Sequence, residues 1–308
     1  MSEITIPSLK KIEHYLPLLE ESLKNRGIFP EMPIISLSDL NSILWGMPRG
    51  KVTVIGARTS HGKTTFAIQL AYDLALVDKR VLFLSLEMTV VEMLERLFCY
   101  EYRIDNRELI RGQYKNFEHK FKEFQEDVKR LKLVFSDCIG KSWQEVEEIL
   151  EKLNPKPDAI FIDHINAIQI TSNNAKRDID EYLSKIVDLT KHHNISTILC
   201  CQINRDNQRD DDKTPQLHEL KGTGNIEEIA DRALLLHWPH KYHKAGDDIS
   251  KNKYMVIVAK NRQGETGYIN LHFEPKYYRF SNYRKTQKEE ISQEKQLEID
   301  VINQKTES

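Results

Sequence analysis

The chain has 308 residues, enough for one large α/β domain with extensions and a core that needs no covalent staples. Hydrophobic residues make up 40%, charged residues 30%, and the formal net charge is -2. A soluble globular protein is the default, and a chain that binds nucleic acid through overall basicity is excluded; such contact would need a local patch or the lumen of a ring.

Cys99, Cys138, Cys200 and Cys201 form no C-x-x-C pair and no zinc-like Cys/His spacing, so they are expected to be reduced core residues. No apolar run reaches membrane-spanning length and the start lacks a signal-peptide pattern, so no membrane contact and a cytoplasmic location are expected.

Along the chain, Ile6 to Arg26 carries Leu9, Ile12, Leu16, Leu19 and Leu23 at steps of three and four, one stripe on a helix. That stripe could pack on its own domain or on a neighbouring subunit. Val52 to Gly56 reads as a buried strand, followed by a glycine-containing turn and a helix, Thr64 to Val77. Arg80 to Ser85 is a second strand, with Leu86-Glu87-Met88 at its tip and a helix from Val90 to Tyr102. Leu131 to Ser136 is a candidate third strand, before a helix from Trp143 to Leu153 and a strand from Ala159 to Asp163. A helix from Ile179 to His193 and a strand from Ser196 to Cys201 come next. Apolar strands alternating with helices predict an α/β fold, a mostly parallel sheet with helices on both faces.

After Gln202 the pattern changes. Asn204 to Lys213 reads as an exposed loop. Short strands near Ala233–Leu236, Tyr254–Ala259 and Tyr268–Phe273 predict an antiparallel edge. His237, His240 and His243, interrupted by Trp238-Pro239, read as a solvated loop. Beyond Arg284 the chain is rich in Lys, Glu and Gln and reads as a polar tail without a core.

The turn Ala57-Arg58-Thr59-Ser60-His61-Gly62-Lys63-Thr64, with Thr65 after it, has the x-x-x-x-Gly-Lys-Thr pattern between a strand and a helix. There, backbone N–H groups and a helix N-terminus can hold phosphates. Lys63 would reach the β- and γ-phosphates of ATP and Thr64 would offer its hydroxyl to Mg²⁺. Ala57 stands where a first glycine is usual, and His61 reads as an outward-facing spacer. Asp163, ending an apolar strand, is the candidate Mg²⁺ carboxylate, or else a cap. Glu87, at a neighbouring strand tip, could activate the attacking water or could be an ordinary charge at a helix N-terminus. Gln202 could contact the γ-phosphate or be a satisfied polar residue at a sheet edge.

Together, Gly56 to Thr65, Ser85-Leu86-Glu87-Met88, Ile162-Asp163-His164-Ile165-Asn166, Gln202-Ile203-Asn204-Arg205 and Lys260-Asn261-Arg262-Gln263-Gly264 resemble the C-terminal motor domain of DnaB-type replicative helicases. The resemblance spans about Pro33 to Phe280 and implies a RecA-like P-loop NTPase fold. It implies an ATP hydrolase that unwinds DNA as a hexameric ring, with 5'-3' direction, on single-stranded or forked DNA. Primase, a loader or other replication proteins would be partners, in a bacterial cell or phage-infected host. Glu87 matches the catalytic glutamate, and Gln202 the residue coupling γ-phosphate to the DNA loops. Lys260 and Arg262 match basic residues that reach the next subunit's ATP site, Arg262 as its arginine finger. Read without the family, they are charges on a solvated edge strand.

Lys221, Gly222, Thr223 and Gly224 match the DNA-contact loop; their other reading is a glycine turn before a helix. Gly222 stands where an acidic residue is usual. His164 and Asn166 replace the common Tyr and Gln, and Cys200 and Cys201 a small or apolar pair. The expected organisation is a linker helix over residues 1–32, the ATPase and helicase domain over 33–283 and a polar tail over 284–308, without the family's N-terminal helical domain. A RecA- or KaiC-like ATPase, or a helicase partner or loader that keeps the fold, are the alternatives.

Overall fold

A computed structural model describes residues 16–24, 31–113, 117–168, 175–203, 213–223, 225–242 and 251–283. The segments Ile6–Tyr15 and Asn25–Arg26 of the predicted first helix, most of the 204–213 loop, His243, Gly224 and the tail from Arg284 lie outside them.

Helix α1 (Leu16–Lys24) leaves Leu16, Leu19 and Leu23 about half exposed in the single chain. Helix α2 (Ser38–Leu44) precedes strand β1 (Val52–Ala57) and helix α3 (Lys63–Leu76). Strand β2 (Val81–Ser85) leads to helices α4 (Val90–Tyr102), α5 (Asn106–Ile110) and α6 (Phe117–Lys129). Strand β3 (Leu133–Asp137), helix α7 (Trp143–Lys152) and strand β4 (Ala159–Asp163) follow. Helix α8 (Ala175–His192) starts a turn earlier than its apolar pattern predicts and leads to strand β5 (Ser196–Gln202). Helix α9 (Ile226–Ile229) and strands β6 (Arg232–His237), β7 (Lys253–Asn261), β8 (Gly267–Glu274) and β9 (Arg279–Asn282) complete the described chain.

The strands form one sheet in the order β3-β2-β4-β5-β1-β6-β7-β8-β9. The first six are mutually parallel, so the Ala233–Leu236 run, expected at the antiparallel edge, is instead a parallel strand, β6, paired with β1; the antiparallel edge is β7 to β9. Alternate side chains divide two cores between the faces. Ile55, Phe83, Phe161 and Cys200 pack under α3 and α4, while Val54, Leu82, Ile162 and Cys201 pack on the α7 and α8 side. The adjacent cysteines thus belong to opposite cores, and the four cysteines are buried free thiols. Helix α3 lies deepest, with every residue from Thr65 to Ala75 buried.

Capping boxes fix two helix starts: Thr89 with Glu92 opens α4, and Ser142 with Glu145 opens α7. Because β2, β4, β5 and β1 run the same way, Ser85 pairs with Asp163, Asp163 with Cys200, and Ala57 with Gln202. Their C-terminal tips therefore form one edge, where ligands of open α/β sheets bind.

Candidate nucleotide site

The turn after β1 reverses sharply. Ser60 and Gly62 have positive φ values of 63° and 83°, and the N–H of His61 bonds back to the Arg58 carbonyl at 3.2 Å. A Cβ on Gly62 would come within 3.3 Å of Phe280 Cζ in a conformation side chains rarely adopt, so glycine is needed there. Ala57 is fully buried at the end of β1. Helix α3 has no side-chain cap, and its first bond runs from the Phe66 N–H to the Gly62 carbonyl at 2.9 Å. The N–H groups of its first turn precede that bond and have no partner in the helix ladder.

Lys63 pairs with Asp163 across the strand tips; their side chains are 12% and 1% exposed. Gln202 Nε2 donates to Thr59 Oγ1 at 2.9 Å, which ties the tip of β5 to the turn. Glu87 is 61% exposed at the tip of β2, with Oε2 3.3 Å from His164 Nδ1. Burial and then the Lys63 charge push the His164 value down, against the Asp163 and Glu87 carboxylates beside it. The Leu86 N–H donates to the Asp163 carbonyl at 2.7 Å and keeps the two tips in register. Thr65 Oγ1 accepts from Arg96 Nη1 at 3.1 Å, a contact from α4 that no local pattern announces.

His61 does not face outward as its place in a turn suggests. It is buried, Trp238 N–H donates to its Nδ1 at 3.3 Å, and its Nε2 lies 3.0 Å from the Tyr242 hydroxyl. The Tyr254 hydroxyl donates to its carbonyl. The reason is that β6 runs beside β1, so the chain leaving β6 folds over the turn. His237 is likewise buried at the end of β6, with its ring stacked on Tyr242 at 5.8 Å, and is not part of a solvated loop. Arg58 reaches the Tyr242 hydroxyl at 3.2 Å and Glu219 at 3.1 Å. Tyr242 and Glu219 were not among the residues the sequence marks out.

Lys260 and Arg262 lie elsewhere. Lys260 pairs with Ala233, and the Arg262 N–H donates to the Asp231 carbonyl at 3.0 Å, both at the start of β6. Thr53 pairs with Arg232, and Ala57 lies four residues further along β1. Lys260 is thus level with Val54 and Arg262 with Val52; at 3.3 Å per residue they are roughly 10 and 16 Å along the sheet from their own phosphate turn, at its opposite end. Lys260 Nζ donates to the Glu227 carbonyl at 2.8 Å and Arg262 Nη2 to the Glu228 carbonyl at 3.0 Å, so both rest on α9. Lys221, Gly222 and Thr223 end a 3₁₀ helix, Leu217–Thr223, just before α9.

A sheet of this strand order, with a glycine-lysine-threonine turn between β1 and α3 and acidic tips beside it, is a RecA-like P-loop fold. Solved chains agree. A DnaB-like replicative helicase, described with its interactions with primase, matches with a TM-score of 0.79 at 24% identity, over 89% of this chain and 69% of its own. A solved ATPase domain matches with the same TM-score and identity, over 90% of this chain and its own full length. Residues 35–282 match the DnaB-like helicase C-terminal domain family, and the chain belongs to it. Similar curated proteins include the replicative DNA helicase DnaB of Buchnera aphidicola subsp. Schizaphis graminum, 27% identical over 89% of this chain. Another is the replicative DNA helicase DnaC of Bacillus subtilis, 26% identical over 85%. The chain spans 61% and 59% of those two proteins' lengths. No helix among the described residues is long and apolar enough to cross a membrane.

Proposed function

We propose that the chain is an ATP-driven DNA helicase motor of the replicative DnaB kind, working as a hexameric ring. The observation that carries this reading is the separation of its basic pair from its phosphate turn: Lys260 and Arg262 sit at the other end of the sheet from Lys63. A charge meant to act on the γ-phosphate from there serves a neighbour's site, which makes turnover depend on assembly.

Within one subunit, the residues fit Mg²⁺ and a nucleoside triphosphate. Asp163 is a buried carboxylate whose partner, Lys63, is the group a triphosphate would engage. Phosphates would lie on the N–H groups from Arg58 to Thr65, with Lys63 on the β- and γ-oxygens. Thr64 and Asp163 would hold Mg²⁺, which when bound offsets negative charge on the phosphates. Glu87 would orient and deprotonate the attacking water, and its exposure at the strand tip leaves room for that water. Gln202 would report the γ-phosphate through Thr59. Arg262, helped by Lys260, would stabilise the transferring phosphoryl group of the adjacent subunit.

Single-stranded DNA would be tracked by Lys221, Gly222, Thr223 and Gly224 through its backbone. Primase or a loader is the expected further partner, and 5'-3' the expected direction. The test is strand separation on a forked duplex with ATP and Mg²⁺, alongside electron microscopy of the protein with ATP and single-stranded DNA. Rings with DNA threaded through them and ATP-dependent unwinding are expected. Absence of unwinding under conditions where rings form would overturn the proposal.

A further inference from the structure

The 217–223 helical segment touches the phosphate-binding strand and turn at two successive points. Leu220 is fully buried, and its Cδ2 lies 2.8 Å from where a Cβ on Gly56 would be. A side chain at position 56 would displace the Leu220 side chain, so glycine at that point permits the close approach. Two residues later Arg58 leaves the strand, and its Nη2 reaches both carboxylate oxygens of Glu219, at 3.1 and 3.5 Å. The same guanidinium is held by the Tyr242 hydroxyl at 3.2 Å, with its carbon 5.6 Å from that ring's centroid. The paired side chains are only 13% and 8% exposed.

We infer that the Arg58–Glu219 ion pair carries the state of the phosphate-binding turn to the 217–223 segment, which makes Glu219 a positioning residue for coupling nucleotide to that segment. That the segment meets DNA rests on the function proposed above; the link between turn and segment does not.

A pair this deeply placed is screened little by salt. A carboxylate that loses its partner there is left desolvated, so the pair moves as a unit or breaks outright. Arg58 lies inside the turn that must close on phosphate, and the His61 N–H to Arg58 carbonyl bond makes its backbone part of that turn. A shift of the turn therefore either drags Glu219 or releases it. Lys221 is two residues beyond Glu219 on the same 3₁₀ helix, so either event changes how residues 221–223 are presented. By linkage, DNA bound at the segment would bias the turn by the same factor as nucleotide biases the segment.

The experiment is amide hydrogen exchange on the full chain, with and without a slowly hydrolysed ATP analogue and Mg²⁺, in wild type, Glu219→Gln and Glu219→Asp. Wild type should show a nucleotide-linked change of about threefold or more in exchange at residues 217–220. In Glu219→Gln that change should vanish while nucleotide still protects the turn at residues 58–65. Glu219→Asp keeps the charge but shortens the reach, and should diminish the change; it carries the test if Glu219→Gln does not fold. No change in wild type, a change that persists in the variants, or loss of turn protection together with it would each overturn the inference.

A second arm measures single-stranded oligonucleotide affinity with and without the analogue. Nucleotide should alter it about fivefold or more in wild type, with the factor falling toward one in Glu219→Gln. A factor unchanged in Glu219→Gln overturns the inference. If wild type gives the exchange change but binds no oligonucleotide, the proposed DNA function fails and the link between turn and segment stands.

Discussion

Lys63, at the start of α3, and Asp163, at the tip of β4, are ion-paired, each satisfying a charge that the other's absence would strand. Asp163 is almost completely buried, so removing the ammonium leaves a carboxylate without water or counter-charge. Breaking such a pair from one side costs roughly 3–5 kcal/mol, whereas replacing both partners by well-packed apolar side chains of similar volume is close to neutral. We expect Lys63→Met to destabilise the fold by about 3 kcal/mol. Lys63→Met combined with Asp163→Leu should return to within about 1 kcal/mol of wild type. Neither variant should bind Mg²⁺-ATP. Urea denaturation checks the first pair of statements, and a single variant as stable as the double would contradict them.

The split between Glu87 and Arg262 makes a complementation experiment informative. Glu87→Gln should bind ATP yet turn over ~10²–10⁴-fold more slowly. Arg262→Ala should fold normally, since the side chain is 54% exposed, and lose ~10³–10⁵ in rate. Mixed before assembly, the two inactive variants should recover part of the activity. Some interfaces then combine a subunit with intact Glu87 and a neighbour with intact Arg262. No recovery at any mixing ratio would mean that Arg262 does not act across an interface.

His61 makes stability depend on pH. Burial, then the His237, Arg58 and Lys241 charges, push its value down to about 4. The unfolded chain titrates near 6.5, so between those values it binds more protons than the folded protein does. The stability His61 contributes is present above pH ~6.5 and is lost as pH falls toward ~4. From pH 7 to pH 5 the loss is about 2 kcal/mol. His61→Gln should remove that part of the acid sensitivity, so the gap between wild type and variant should shrink by about 2 kcal/mol over the same interval. Parallel urea curves at both pH values measure it; a constant gap would show that the ring already titrates normally.

The parallel strands were legible because both of their faces are covered and each is a plain apolar run. Ala159–Asp163 reads residue for residue as β4 is found. The antiparallel edge was read in part: β9 is four residues long and depends on pairing Phe280 with Phe273, which no local pattern contains. Helix α6 was missed although Phe117, Phe121, Phe124 and Val128 recur at helical steps, because the charges of FEHKFKEFQEDVK hide a narrow stripe. At the site, a motif and its strand tips sufficed to bring Lys63, Asp163, Glu87 and Gln202 to one edge. The contacts that hold the turn itself were not legible. Tyr242 meets His61 across 181 residues and Glu219 meets Arg58 across 161, and such pairs exist only once the sheet order is known.

Gly56 is a further case in which sequence marks a residue without giving its reason. It stands one place before Ala57, the position where a first glycine is usual. Its φ is ordinary, so backbone conformation does not require it; close packing does. An added Cβ would meet Leu220 Cδ2 at 2.8 Å, Leu235 Cδ2 at 3.0 Å and Ile203 Cδ1 at 3.2 Å. All three belong to a close-packed core with little room to yield, and overpacking of this kind costs ~1–3 kcal/mol. Leu220→Ala alone should cost ~2–5 kcal/mol by leaving a cavity. In the Gly56→Ala background it should cost about 1 kcal/mol less, because the new methyl occupies part of the space that leucine leaves. Urea denaturation of the four proteins gives the coupling directly. Strict additivity would mean that the methyl does not meet Leu220, and that the segment is not seated on β1 at this glycine.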